Sequence, residues 1–203
     1  MITSSTTTTI GRPRDARTDR AILAASLELI AEVGIHDFRM DDVAERARVG
    51  KSAIYRRYRS KDELVGATVA ALVSEIDVAD TGDTREDIVA LMNGAVDVYT
   101  DPIRAAVMPS LVGAMQRRPE LARTIREGFL TGRRDALREV LTRGIARGDL
   151  AADLDMELAL DVLGGPLFYR LLITGGPINR ELAEGVADLV MRGFADTTKE
   201  KAA

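Results

Sequence analysis

Six cationic side chains lie between Arg48 and Lys61 (Arg48, Lys51, Arg56, Arg57, Arg59 and Lys61), with no carboxylate among them. Such a cluster can neutralise a polyanion, donating ammonium and guanidinium hydrogens to phosphate oxygens. Position within the cluster narrows the chemistry. Lys51, Ser52 and Ala53 open a helix and come nearest to base edges, where a lysine donates to guanine O6 or N7 and an alanine methyl touches that of thymine. Tyr55 and Arg56 project from the same side, and Arg57 suits a base or a phosphate. Lys61 sits in the first turn of the following helix, where free backbone amides and its ammonium can hold one phosphate together. On charge alone, a plain solvated helix face explains the run equally well.

The apolar residues between the cations reverse that balance. Val43 and Ala47 stand four apart, as do Ile54 and Tyr58, so each pair marks one face of a short helix. Val49 occupies the joint, and Ala44 is small enough for the two axes to cross closely. Residues 40–59 therefore read as a helix-turn-helix, whose second helix enters the major groove of duplex DNA. Asp41, Asp42, Glu45, Asp62 and Glu63 flank the cations, so the charge is local rather than general.

Composition sets limits on the competing classes. The chain has 203 residues and a formal charge of −4, yet residues 1–65 carry 12 Lys and Arg against 10 Asp and Glu, leaving the remainder acidic. An apolar content of 46% with only 4% aromatics suits an all-α protein. There is no Cys, and His36 is the single His. Thiolate metal sites and disulfides are thereby excluded, and no cofactor, metal site or catalytic set is expected. An enzyme in the larger helical part would need a polar constellation that does not stand out. A protein-interaction module, with the basic helix set against an acidic partner, is the remaining alternative. No run approaches the roughly 20 apolar residues of a bilayer span, and no signal-peptide core is present, so a cytoplasmic protein is expected.

Taken in order, residues 1–17 read as a disordered arm, rich in Thr and Ser and then in Arg. That arm is either a solubilising tail or one that reaches the DNA backbone or minor groove. The first helix is expected from Asp19 to Val33, capped by Thr18 and stopped by Gly34. The reader domain covers 18–64, and a connecting fourth helix, opened by the Ser60–Glu63 capping box, runs on through 65–80. Asp80 to Asp83 mark a boundary. Helices are expected from Thr84, from Pro102 to Arg117 with a kink at Pro109, and from Pro119 to Arg147 as one long rod. A further helix starts at Asp155, is interrupted at Gly164-Gly165-Pro166 and ends at Gly175-Gly176-Pro177. A last one runs from Asn179 to Ala195, before a flexible tail at 197–203. The expected architecture has about nine helices: an N-terminal three-helix helix-turn-helix domain and a C-terminal helical domain over 84–196.

Residues 18–64 resemble the DNA-binding domain of the TetR family of one-component bacterial regulators. The family's small residue, turn, recognition helix with a central tyrosine and S-K-x-x-L run are matched by Ala47, Val49, Tyr55, Ser60, Lys61 and Leu64. VGKSAIYRRYRSKDEL is close to one subgroup's form, and PELA, LREVL, GPLFYRLL and RGF resemble the same subgroup's ligand-binding domain. The resemblance implies a repressor that binds a palindromic duplex operator as a homodimer and is released by a small-molecule effector. It makes Tyr55 a phosphate contact. It also implies a ligand pocket within the fourth to eighth helices, for which Met92, Tyr99, Met108, Met115, Phe129, Arg133, Phe168 and Tyr169 are candidates, although ordinary core explains many of them. The last two helices would form the dimer interface through Leu182, Val186, Leu189 and Val190. Two positions depart from the family's form. Arg39 stands where a threonine is usual, which removes an N-cap but leaves a charge for phosphate. Arg48 replaces the turn's glycine, so either Arg48 is left-handed or Gly50 takes the strain.

Overall fold

The computed structural model describes residues 12–72 and 76–195. The reader is built from three helices. α1 (Arg12–Asp37) is broken at Gly34, whose φ of 71° and ψ of 169° divide a long rod from a final turn. The stop at Gly34 is as expected, but the start is not. Helix begins six residues before Thr18, because Pro13 is tolerated in a first turn and Ala16 and Arg17 favour helix. The arm expected over 1–17 is therefore helical from Arg12, and its first eleven residues lie outside the described ones. Ile22, Leu29 and Ile30 bury one face of α1, whereas Val33 is 43% exposed. At the break, the Ile35 N–H donates to the Ser110 hydroxyl at 2.7 Å, tying the reader to the C-terminal domain.

α2 (Met40–Arg46) and α3 (Lys51–Arg57) follow, then α4 (Lys61–Ala70). Glu63 N–H donates to the Ser60 hydroxyl at 3.1 Å, and the Glu63 carboxylate accepts from Arg59 N–H at 2.7 Å, so the capping box forms with its return bond one residue early. α4 ends at Ala70 and does not run to residue 80. Instead, the stretch before Thr84 is held by two arginines later in the chain: the Ala79 carbonyl accepts from Arg143, and Asp80 pairs with Arg147 at 3.4 Å. Thr81 adds a backbone bond of 2.9 Å and a hydroxyl bond of 2.8 Å to Asp87, which is fully buried.

α5 (Thr84–Thr100) and α6 (Pro102–Arg117) are capped by Asp83 and Asp101, whose side chains accept backbone N–H groups. Pro109 does not break α6. The expected long rod is α7 (Pro119–Ile125), a π-helical turn (Arg126–Leu130) and α8 (Thr131–Arg147), closed by left-handed Gly148. α9 (Met156–Tyr169) passes through Gly164-Gly165-Pro166, where an interruption was expected. Buried Leu163 and Leu167 hold the turn that Pro166 leaves one hydrogen bond short. The irregularity falls later, as a second π-helical turn (Arg170–Thr174) ending at Gly175. α10 (Arg180–Gly193) is capped by Asn179. Counting α7 and α8 as one rod, the described residues hold nine helices and no strand beyond an isolated bridge between Leu150 and Ala195. One continuous apolar core links both domains, from Ile22 and Ile54 to Val186 and Val190. No helix among the described residues is long and apolar enough to cross a membrane.

Candidate functional site

The turn before α3 sets the direction of its side chains. Val49 N–H donates to the Ala44 carbonyl at 3.0 Å, and Arg48 takes φ +54°, the one left-handed residue other than glycine among those described. Gly50 is extended, with φ −67°, so the strain falls on Arg48. Ala53 N–H bonds the Gly50 carbonyl at 2.8 Å and closes the first turn of α3. Ile54 is fully buried and anchors the helix, and Tyr58 packs half-buried against the same core. Lys51, Ser52, Tyr55 and Arg56 are left on the outer face, one turn apart in pairs, and Ala53 is half-buried beside them.

Two of these side chains share one carboxylate. Lys51 donates to Asp41 Oδ2 at 2.6 Å and the Tyr55 hydroxyl donates to Asp41 Oδ1 at 3.1 Å, so α2 braces both from across the turn. The Lys51 bond in particular holds Asp41 below its usual carboxylate range. The same hydrogen bonds push the pKa values of Lys51 and Tyr55 up. Tyr55 is 53% exposed, and Arg56 has no hydrogen bond or ion pair among the described residues. Arg39 stands exposed at the N-cap of α2 and makes no side-chain cap bond, as the missing threonine predicts.

Two expected contacts face elsewhere. Arg57 turns toward α1, donating to Asp19 at 2.5 Å and to the Ala53 carbonyl at 3.0 Å. Three residues past Ile54, it lies on the side of α3 that meets the protein, not the groove. Lys61 donates to the His36 carbonyl at 2.8 Å and lies 5.9 Å from the Phe38 ring. Burial and then Arg118 push its pKa down. Its ammonium therefore clamps the last turn of α1 and is only half open to a phosphate.

In the C-terminal domain, a cavity of about 1030 Å³ opens between α5, α8 and α9, with Ala71 and Leu72 at the end of α4 in its wall. Met92, Tyr99, Arg133 and Phe168 line it, as expected. Met108, Phe129, Met115 and Tyr169 do not. Met108 and Phe129 are sealed in the core and Met115 packs partly buried against it. Tyr169 is 58% exposed, since one residue beyond Phe168 turns it about 100° round the helix and out of the cavity. Asn93, Arg104 and Leu137 belong to the wall as well, which periodicity does not reveal, because it does not say which residues of a helix face a cavity.

The expected dimer residues divide likewise. Val186 and Val190 are buried in their own chain and Leu182 is half-buried, because α10 packs on α5. Leu189 is 60% exposed, and Leu158, Tyr169 and Ile173 are exposed on α9 and the turn after it. Those three recur at helical spacing, and a side chain at Gly165 or Gly185 would meet nothing within 4 Å.

Comparison with known proteins agrees with this geometry. The pattern described as bacterial regulatory proteins, tetR family, matches residues 22–68, and that of the tetracyclin repressor-like C-terminal domain matches 78–190. The uncharacterized HTH-type transcriptional regulator YdeS of Bacillus subtilis is 37% identical over 91% of both chains. The DNA-binding transcriptional repressor TetR of Mycobacteroides abscessus is 31% identical over 84% of this chain and 90% of its own. The regulator FadR of Bacillus subtilis, solved in complex with stearoyl-CoA, superposes with a TM-score of 0.75 over 86% of this chain and 98% of its own. At 23% identity that likeness concerns the fold.

Proposed function

The chain belongs to the TetR family of bacterial transcriptional regulators, and from that premise we propose that it is a cytoplasmic repressor released from its operator by a small molecule held in the cavity. Residues 18–64 act as the reader and 84–196 as the effector-binding and dimerisation domain. The carrying observation is the outer face of α3, where Lys51, Ser52, Tyr55 and Arg56 stand exposed on a helix anchored by Ile54. Lys51 and Ser52 reach base edges, while Arg39, Tyr55 and Arg56 hold phosphates. One such helix covers too little duplex to be specific unaided. The exposed faces of α9 and α10 pair two copies, so that two readers meet half-sites one helical turn or a multiple apart.

Release follows from differential affinity. An effector that fits the cavity better in one arrangement of α4 draws the population toward it. α4 is about 15 Å long, with Lys61 beside the reader and Ala71 at the cavity wall, so a small tilt alters the separation of the readers. Footprinting on the DNA upstream of the chain's own gene tests the reading. A palindromic protected site is expected, and Lys51→Ala should relax its sequence preference. Equal binding to every duplex by the unaltered protein would sink the assignment of α3 as a specific reader.

A further inference from the structure

The cavity holds a cation without an anion. Arg133 reaches it from α8, and its Nε is buried with no hydrogen-bond partner. Among the described residues it has no ion pair either, whereas Arg134, its neighbour, is matched by Asp161 at 2.6 Å and also by Glu157. The other carboxylates in the wall do not serve it. Asp161 is taken by Arg134, Asp97 pairs with Arg180 at 3.1 Å, and Asp77 is exposed on the stretch leading to α5. Burial is the main effect that lowers the pKa of Arg133, and Arg104, exposed at the cavity, adds a second positive charge in the same direction.

Aromatic rings surround the orphan. The guanidinium carbon lies 5.5 Å from the ring centroids of both Tyr99 and Phe129, and Tyr99 is 5.3 Å from Phe168. The Tyr99 hydroxyl has no partner among the described residues, and burial pushes its pKa up to about 12, so it remains a neutral donor. Buried cations are ordinarily paired, and breaking that rule costs stability unless a ligand completes the site.

We infer that the cavity selects an organic monocarboxylate with an apolar or aromatic body, its head group against the Arg133 guanidinium and its body along Tyr99 and Phe168. This rests on the cavity being the effector site and adds the class of effector. A cavity of about 1030 Å³ has room for such a molecule whole.

Calorimetric titration of the full chain with two matched pairs, octanoate against octanamide and 2-naphthoate against 2-naphthamide, tests it. At least one acid should bind about tenfold or more tightly than its amide, as a charge-assisted hydrogen bond gives. Arg133→Met should abolish that preference, and Arg133→Lys should keep part of it. Both variants are first checked by thermal melting, where loss of an unmatched charge should leave Arg133→Met no less stable. Equal affinity for acid and amide, an undiminished preference in Arg133→Met, or no acid binding up to about 1 mM would each overturn the inference, the first two by making Arg133 an aromatic brace. Operator binding by the unliganded protein is measured separately, and its absence would count against the regulator reading without touching the acid-to-amide ratio.

Discussion

Arg48→Gly should make the protein more stable and its DNA binding weaker, and the two effects have separate causes. At φ +54° an L-residue brings its Cβ against the following carbonyl, which costs about 1–2 kcal/mol. Glycine removes that clash and returns about 0.5–1 kcal/mol through its freer unfolded chain. The Arg48 side chain is exposed and makes no hydrogen bond or ion pair among the described residues, so no contact offsets the gain. The net stabilisation is about 0.5–1 kcal/mol, or roughly 1–4 °C in melting temperature for a chain of this size. Arg48→Ala keeps the Cβ and should leave the melt nearly unchanged. Circular dichroism melts at one fixed protein concentration separate the three proteins. In operator titrations across salt, both variants should lower the slope of log K against log salt by about 0.9, as loss of one phosphate contact does. Equal melting of Arg48→Gly and Arg48→Ala would refute the strain argument, because only the glycine relieves it.

Other substitutions divide the charges by role. Arg57→Ala should lower stability by about 1–2 kcal/mol in urea titrations and leave sequence preference intact, since Arg57 is committed to Asp19. Asp87→Asn should cost about 2 kcal/mol by leaving Arg143 and Arg147 short of a buried carboxylate. Burial opposes the charge on Asp87, yet Thr81 and the two arginines outweigh it and its pKa falls. The stability it supplies is thus present above the ordinary Asp value of about 4 and lost as pH falls below it; acid titration of the melt should show a smaller loss in Asp87→Asn than in the unaltered protein. Leu189→Arg should yield a monomer by light scattering and weaken operator binding by about a hundredfold or more; a dimer that persists would move the interface off α10.

The helix-turn-helix was legible because its information is local. Spacing of four residues at Ile54 and Tyr58, the capping box at Ser60 and the cation run all act within one or two turns. The choice between Arg48 and Gly50 was not legible, since either conformation closes the short turn between α2 and α3 and only the crossing of the two helices selects one. Arg57 and Lys61 were misplaced for a related reason. Their charge suits phosphate, but what each meets depends on Asp19 and His36, brought there by the fold of α1. In the C-terminal domain, methionines and aromatics recur at helical spacing on every side. Facing the core and facing the cavity then look alike, so spacing alone does not separate Met108 and Phe129 from Met92 and Phe168. Leu182, Val186, Leu189 and Val190 form one stripe in the sequence, but packing on α5 buries Val186 and Val190 and leaves Leu189 at the exposed edge.

The early end of α4 changes how the two halves communicate. A helix running to residue 80 would carry motion along its axis, but Ala71 and Leu72 already stand in the cavity wall. What steers the short rod is its side contact with α7 and the π-helical turn after it. A Cβ on Gly66 would lie 2.3 Å from Thr124 Cγ2, and one on Gly128 would lie 3.2 Å from Ala70 Cβ. Packing so close has little compliance, so α4 follows α7 and the turn rather than sliding past them. The turn spans Arg126–Leu130, and Leu130 and Arg133 beyond it line the cavity. On the proposed effector site, a carboxylate held by Arg133 would press on the segment of that rod whose helical hydrogen bonding is already irregular, and α4 is seated against it.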